Sequence, residues 1–339
     1  MMEKMITTYS MWKMFRNCRK ACEWRYFQEL VPLEKERSLA FGSIIHQCLE
    51  LWHKTRRLDE VLSHIDRAYV NRIANEREKS DWHLARAMMR AYAQRYPDEK
   101  FEVVHLEQKF SGPIINPETG AESRTFVLAG KVDGIVKLDN AYYLLEHKTA
   151  SQIDAGYLDR LWTDFQICLY SWYVEKYLGY KISGIIYNVL AKAKLKQSQG
   201  ESEAEFEERR NELIAKSKSG TSSAKRKMPE TDEEFQVRLA EKYSDPQMFH
   251  REILYISRDK FLELQGELWE LSQAMLEARR RKAFYMNTDY CFMYNRPCAY
   301  YALCSSGGNP NLIENMYEKK APHEELSEAN INTQEAPIF

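Results

Sequence analysis

The chain has no apolar run of about 18 or more residues, the length that marks a membrane-crossing helix. Its opening, MMEKMITTYSMWKMFRNCRK, has no uninterrupted apolar stretch of the kind a secretory leader carries. A cytoplasmic protein with no membrane partner is the expectation. Charge of one sign is also missing: 49 Lys and Arg stand against 50 Asp and Glu, for a net charge of −1. Attraction to a polyanion must then come from local clusters of charge and not from the net field. A GxxxxGK(S/T) phosphate loop is absent, which excludes a built-in helicase motor. No internal repeat and no CxxC pair are found, and the second absence argues against a common zinc ribbon. What is present suffices for a globular protein: 339 residues, 44% hydrophobic, can bury a full core in one large domain or two modest ones.

Periodicity divides the chain. Residues 1–100 read as helical, beginning with an amphipathic stretch in which Trp12, Phe15, Cys22 and Tyr26 recur at helical spacing among Arg16, Arg19, Lys20 and Arg25. Further helices are expected from near Ser38 and from Glu60 to Tyr96, the latter broken once. Residues 101–190 change to β-rich runs, FEVVHLEQKF, RTFVLAGKVDGIVKL and NAYYLLEHKTA, with Asp139-Asn140 as a hairpin turn. Tyr157 to Leu178 returns to helical spacing, and ISGIIYNVL is a short buried strand. Residues 191–246 are polar and rich in Ser, Gly and Lys, and are expected to be an insertion with a mobile tip. Residues 247–306 hold a strand, a long helix over 259–285 and three cysteines, and 307–339 read as a loose tail.

The chemistry concentrates in Asp133 of GKVDGIV and in Glu146-His147-Lys148 of YLLEHKTA. Both lie on β-runs joined by one tight turn, so antiparallel pairing can bring the two acids to within the span of one divalent ion. Such an ion suits phosphodiester hydrolysis, because it acidifies water and neutralises charge on the leaving oxygen. Glu146 and Lys148 are two apart on a strand and share a face, with His147 opposite. Apolar neighbours such as Leu144, Leu145, Val132 and Ile135 set these charges at the end of a buried sheet, where a charge requires a partner or a task. Alternatively the motif is a solvated hairpin with ordinary surface charges. Three more elements fit one site. Gly42-x-x-x-His46 permits close helix approach and offers a metal-ligating imidazole, although His46 can equally be a core or capping histidine. Glu107 is a charge inside an apolar strand and a possible additional acid, or else simply exposed. Gln166-x-x-x-Tyr170 places two side chains on one helix face, within reach of the metal site or a DNA phosphate.

Taken in this order and spacing, these motifs resemble RecB-like nucleases of the PD-(D/E)xK superfamily, including CRISPR-adaptation, AddB-type and small phage exonuclease members. The resemblance runs from Tyr9 to Cys304. It implies an α/β fold: a restriction-endonuclease-like core with a central mixed sheet of about five strands flanked by helices. It further implies that His46, Asp133 and Glu146, with the His147 carbonyl, bind Mg²⁺ or Mn²⁺, that Lys148 is the catalytic lysine, and that Gln166 and Tyr170 support the site. Asp133 is preceded by Val132 where the family name would have proline.

Cys291, Cys298 and Cys304 lie close together near the carboxyl end, and a fourth ligand must come from elsewhere. An iron-sulfur subgroup of the same nucleases uses one early and three late cysteines to hold a 4Fe-4S cluster. The resemblance favours Cys18 over Cys22 as the early ligand. Zinc in place of iron and four free thiols are the alternatives; Cys48 and Cys168 read as packing residues. Candidate DNA contacts are Arg16, Arg19, Lys20, Arg25, Lys192, Lys194, Lys196 and the lysines of 216–227, with Trp12, Trp24 and Tyr301 as base-stacking rings. Solvated helix faces are the bland alternative. The function implied is a metal-dependent DNA exonuclease of recombination, repair, phage replication or CRISPR adaptation, in a bacterial or phage-infected cell. It would act on single strands or duplex ends, alone or beside a helicase, annealing or integration partner. A structure-specific endonuclease and a catalytically silent iron-sulfur DNA-binding or assembly subunit are the rival readings.

Overall fold

The computed structural model of the chain describes residues 4–33, 37–70, 75–162, 164–217, 220–255, 257–293, 296–323 and 326. The strands are β1 (Met5–Thr7), β2 (Leu30–Pro32), β3 (Glu102–Ile115), β4 (Glu122–Leu138), β5 (Ala141–Ala150), β6 (Ile182–Ala191), β7 (Phe249–Leu254), β8 (Phe292–Met293), β9 (Arg296–Pro297) and β10 (Tyr317–Lys319). Among the described residues, six of these form one mixed sheet in the order β1-β4-β5-β6-β7, with β3 also paired to β4. The expected five strands become six because the short β1 joins it, parallel to β4. The first hundred residues are therefore not wholly helical. Three residues of a strand are too few for a period-2 pattern to show in the sequence.

Asp139 and Asn140 both have positive φ, as the two-residue turn between β4 and β5 requires, and Asx residues tolerate that conformation best after glycine. The parallel pair β5 and β6 needs a crossover, supplied by α6 (Ala155–Leu161) and α7 (Phe165–Leu178). Earlier come α1 (Tyr9–Asn17), α2 (Arg19–Cys22), α3 (Arg37–Thr55), α4 (Leu58–Tyr69) and α5 (Glu76–Arg95). Later come α8 (Glu203–Lys216), α9 (Asp232–Tyr243), α10 (Arg258–Arg281), α11 (Tyr301–Ser305) and α12 (Pro310–Met316).

Two apolar clusters are the main covering of the sheet. In one, Trp12 and Phe15 of α1, Ile167 and Tyr173 of α7 and Leu268 and Met275 of α10 pack with Phe126, Leu144, Tyr187 and Val189. In the other, Ile45 and Leu49 of α3, Ile65 of α4 and Met88 of α5 pack with Leu190 and Phe249. Alternation along β6 explains the division, since neighbouring Val189 and Leu190 point to opposite faces.

Two segments differ from the sequence expectation. The polar stretch 191–246 contains α8 and α9, each opened by a complete capping box, Ser202 with Glu205 and Thr231 with Glu234. α9 also buries Phe235, Leu239 and Tyr243, spaced at four residues, in the second cluster. Each such side chain contributes about 1.5–3 kcal/mol, enough to fix a helix that its composition alone would leave in solvent. The segment expected to be a tail carries α12 and then β10, which pairs with β2, and the Thr8 hydroxyl lies 3.2 Å from His323 Nδ1. Residues 327–339 of that tail lie outside the described residues.

Candidate active site

The site lies where the sheet opens. β4 pairs with β3 along one edge. Along its other edge it pairs with β5 over residues 134–138 and with β1 over residues 126–128. Among the described residues, the edge from 129 to 133 has no strand partner on that side, and Asp133 stands at the point where β4 and β5 part. The parting is bridged by one bond: the His147 N–H donates to Asp133 Oδ2 at 2.7 Å. From the α3 side, His46 Nδ1 reaches Asp133 Oδ1 at 3.4 Å. α3 packs directly against β5 here: a Cβ at Gly42 would sit 3.4 Å from Thr149 Oγ1, in van der Waals contact.

Glu146 is 4% exposed and accepts from the Lys148 ammonium, its neighbour on the same strand face. Burial, with Asp133 nearby, pushes the Glu146 carboxyl up to about 7, although Lys148 and His46 oppose the shift. Asp133 goes the other way. Burial would raise it, but His46 and the His147 N–H outweigh burial and hold it well below the carboxylate range. Lys148 stays above the lysine range because Glu146 and Asp164 overcome its desolvation. His46 is raised as Asp133 overcomes burial, whereas His147 is pushed down to about 3 by burial and is neutral. The site thus sets an ionised acid beside one that takes up its proton near neutrality, the asymmetry expected of carboxylates sharing one small volume.

Tyr170 is buried beneath this pair, its hydroxyl held by the Tyr9 backbone and the Gln166 side chain. Its ring packs edge-on to Phe110 at 4.8 Å, and Gly130 makes room: a Cβ there would lie 2.5 Å from Phe110 and 2.8 Å from Tyr170. Sequence reasoning missed Asp164, the N-cap of α7. It accepts from the Gln166 N–H at 2.9 Å and from the Tyr187 hydroxyl at 2.9 Å, and its charge helps hold Lys148 protonated. The visible signal was an acid just before the helical run FQICLYSWY. Glu107 lies on β3 between Leu106 and Gln108, whose partners Gly134 and Val132 flank Asp133. It adopts φ 50° and pairs with Lys131, so its charge is not simply exposed.

The proposed DNA contacts are less uniform than the sequence suggests. Lys20 is engaged by Glu23 at 2.6 Å, and Arg16 lies 3.9 Å from Glu267. Arg19 stacks between Phe15 and Tyr285, and Arg25 lies over Tyr26. Lys192 and Lys194 follow directly on the Ala150–Ala191 register pair, at the same end of the sheet as Lys148, with Lys194 Nζ 3.1 Å from Gln152 Oε1. Trp12 is corrected as a stacking ring: it is 1% exposed and donates to Thr7 Oγ1 at 3.1 Å, whereas Tyr301 is 38% exposed. Lys218 lies outside the described residues.

Cys18, Cys298 and Cys304 line one small cluster with Trp24 and Leu303. Asn287 ties in Cys291: its N–H donates to Cys18 Sγ at 3.4 Å and its carbonyl lies 3.8 Å from Cys291 Sγ. The Cys298 N–H donates to the Cys291 carbonyl at 2.7 Å, and Tyr300 N–H points at Cys298 Sγ at 3.5 Å. Cys22 is instead sealed in the main core, its thiol pushed above the normal range by burial. Cys48 and Cys168 are likewise buried.

Among the described residues, no three His, Cys, Asp or Glu side chains converge closely enough to hold a metal ion. At the sheet opening the acids are satisfied internally, by His46, the His147 N–H and Lys148. The donor chemistry suits a hard divalent ion, with two carboxylates and an imidazole, and the buried Glu146 repelled by Asp133 is a charge problem that a cation relieves. For the thiols, backbone N–H groups already aimed at two sulfurs suit a thiolate-held group.

A family model described as the PD-(D/E)XK nuclease superfamily matches residues 7–305. The chain belongs to that superfamily. Its α/β architecture, a mixed sheet flanked by helices, is consistent with a restriction-endonuclease-like member, and membership suggests a metal-dependent nuclease acting on DNA. No curated protein matches the chain. Among solved structures, one titled "Crystal structure of SSO0001" is 10% identical over 74% of this chain and 84% of that one, with a TM-score of 0.26, a likeness that carries no argument. No helix among the described residues is long and apolar enough to cross a membrane.

Proposed function

We propose that this protein is a Mg²⁺- or Mn²⁺-dependent deoxyribonuclease of the RecB-like, iron-sulfur kind, acting on DNA single strands or ends. The observation that carries the reading is the pairing of buried Glu146 with Lys148 beside Asp133 at the open edge of the sheet. A solvated hairpin would not bury these charges, and burial without a task is costly.

His46, Asp133, Glu146 and the His147 carbonyl are the groups that would hold the metal. Lewis-acid polarisation of the phosphate and acidification of water are the chemistry it supplies when bound. Lys148, kept protonated by Glu146 and Asp164, places a positive charge where the scissile phosphate gains negative charge. Tyr170 and Gln166 brace that wall, and Lys192 and Lys194 at the same sheet end offer contacts to the DNA backbone. Cys18, Cys291, Cys298 and Cys304 would hold a 4Fe-4S cluster that fastens the amino-terminal helices to the carboxyl-terminal region.

The test is digestion of end-labelled single-stranded and duplex DNA with Mn²⁺, comparing wild type with Lys148→Ala. Loss of about 10²–10³ in rate, with DNA binding kept, is expected for removing one charge-stabilising group. Release of label as mononucleotides identifies an exonuclease and its polarity. A wild type that binds DNA but never cuts it overturns the reading in favour of a silent DNA-binding subunit.

A further inference from the structure

Behind His147 a polar row crosses the sheet one strand at a time. His147 on β5 has Asn188 as its register partner on β6, and Asn188 has Arg251 as its partner on β7. The side chains follow the backbone. Asn188 Nδ2 lies 2.9 Å from His147 Nδ1 and 3.1 Å from the Tyr92 hydroxyl. Arg251 donates through Nε to Asn188 Oδ1 at 3.3 Å and through Nη2 to the Tyr92 hydroxyl at 3.0 Å. Glu99 closes the row, receiving Arg251 Nη1 at 2.5 Å, while the Arg251 guanidinium lies 3.9 Å from the centre of the Tyr96 ring. Asn188 and Tyr92 are fully buried, and the Glu99 side chain is 2% exposed.

The direction of each bond is fixed by the guanidinium, which only donates. The Asn188 carbonyl therefore faces Arg251 and its amide NH₂ faces His147 and Tyr92. His147 Nδ1 must accept, so its ring proton is on Nε2. His53 stacks on the other side of that ring at 5.3 Å. Rotation and proton position of His147 are thus both determined from β7 and α5. A buried ion pair such as Glu99 with Arg251 is a weak stabiliser compared with apolar packing, because both ions lose their hydration. At the other end of the row the His147 main-chain N–H donates to Asp133 Oδ2, and in an extended strand the carbonyl of the same residue lies along the same edge.

We propose that Asn188, anchored by the Arg251–Glu99 pair, is a positioning residue that locks His147 and so sets the main-chain groups and Asp133 for metal binding. This inference rests on the nuclease reading above. Hydrogen-bond partners one step behind metal ligands commonly alter affinity or activity by roughly 10- to 100-fold.

The experiment uses Mn²⁺ alone as probe, its binding to the full chain measured by loss of the free-ion EPR signal, beside kcat and KM for DNA cleavage. Asn188→Leu, close in shape but unable to hold His147 or Arg251, is expected to weaken Mn²⁺ binding about 10- to 100-fold. Its kcat falls while KM for DNA changes less than about twofold. Glu99→Gln, which keeps volume and loosens Arg251, moves the same two quantities in the same direction by less, and serves if Asn188→Leu does not fold. Variants that melt earlier but bind Mn²⁺ and turn over as wild type does would show the row to be structural only and overturn the proposal. If wild type binds Mn²⁺ but cuts no DNA, the nuclease reading fails, and the Mn²⁺ affinities alone decide this one.

Discussion

Replacing Glu146 by Gln should change how stability depends on pH. The Glu146 carboxyl ionises near 4.3 in an unfolded chain but near 7 in the metal-free fold, pushed up by burial and by Asp133. Between these values the folded chain holds a proton that the unfolded chain has released, so stability falls as pH rises through that window. The penalty is complete only above about 7. A rise of between two and three units corresponds to about 3–4 kcal/mol at about 1.4 kcal/mol per unit. Glu146→Gln cannot ionise and escapes it. The variant also leaves Lys148 without its carboxylate, an offset that is the same at every pH in the window because Lys148 remains charged throughout. Melting temperatures of both proteins in EDTA, taken from pH 5 to pH 8, provide the assay. About 1 kcal/mol of that penalty is already present at pH 5, where the unfolded acid is largely ionised, so about 2.5 kcal/mol falls within the range. At about 2 °C per kcal/mol for a chain of this size, wild type should lose roughly 5 °C relative to the variant across it. Saturating Mn²⁺ should remove that relative loss, since the cation favours the ionised carboxylate. Parallel curves for the two proteins, with or without Mn²⁺, would refute the account of Glu146 as a buried acid awaiting a cation.

Other outcomes follow from particular contacts. On the proposed cluster assignment, Cys18→Ser should lose the iron and visible absorbance of the anaerobically purified protein and lower its melting temperature, whereas Cys22→Ser should keep both colour and iron; equal behaviour of the two would contradict the proposal. Leu239→Ala should cost about 2–5 kcal/mol, measured by denaturant unfolding, because Leu239 is fully buried in a helix whose sequence reads as a solvated insertion. His46→Ala should raise the Mn²⁺ concentration for half-maximal cleavage without abolishing DNA binding in Ca²⁺, since the His46 imidazole is directed at Asp133; unchanged Mn²⁺ dependence would remove it from the metal site.

The sheet was legible because its strands carry strong local signals: β-branched and aromatic runs, and an Asp139-Asn140 turn that only a hairpin explains. The placement of Asp133 against β5 was legible for the same reason, since one tight turn fixes the register of the two strands. What the sequence did not disclose depends on contacts distant in the chain. β1 is too short to have a pattern, and its place is set by pairing with β4 some 120 residues away. α9 is polar except at Phe235, Leu239 and Tyr243, and only the groove it fills turns that sparse stripe into core. Asn188 and Arg251 look like polar interruptions in apolar strands until registry lines them up behind His147. Trp12 lies among basic residues, as a base-stacking ring would, yet the strand before it and Phe126 bury it completely.

In the proposed function Asp133 and Glu146 bind one divalent ion, and this ion drives DNA hydrolysis. The most direct measurement is cleavage of labelled DNA by wild type and Asp133→Asn across Mn²⁺ concentrations, with DNA binding followed in parallel in Ca²⁺. Mn²⁺-dependent cleavage by wild type, a loss of at least about 10²-fold in the variant, and near-equal DNA binding are expected. Cleavage by Asp133→Asn at the wild-type rate, or DNA binding by wild type with no cleavage under any divalent cation, would contradict the proposal.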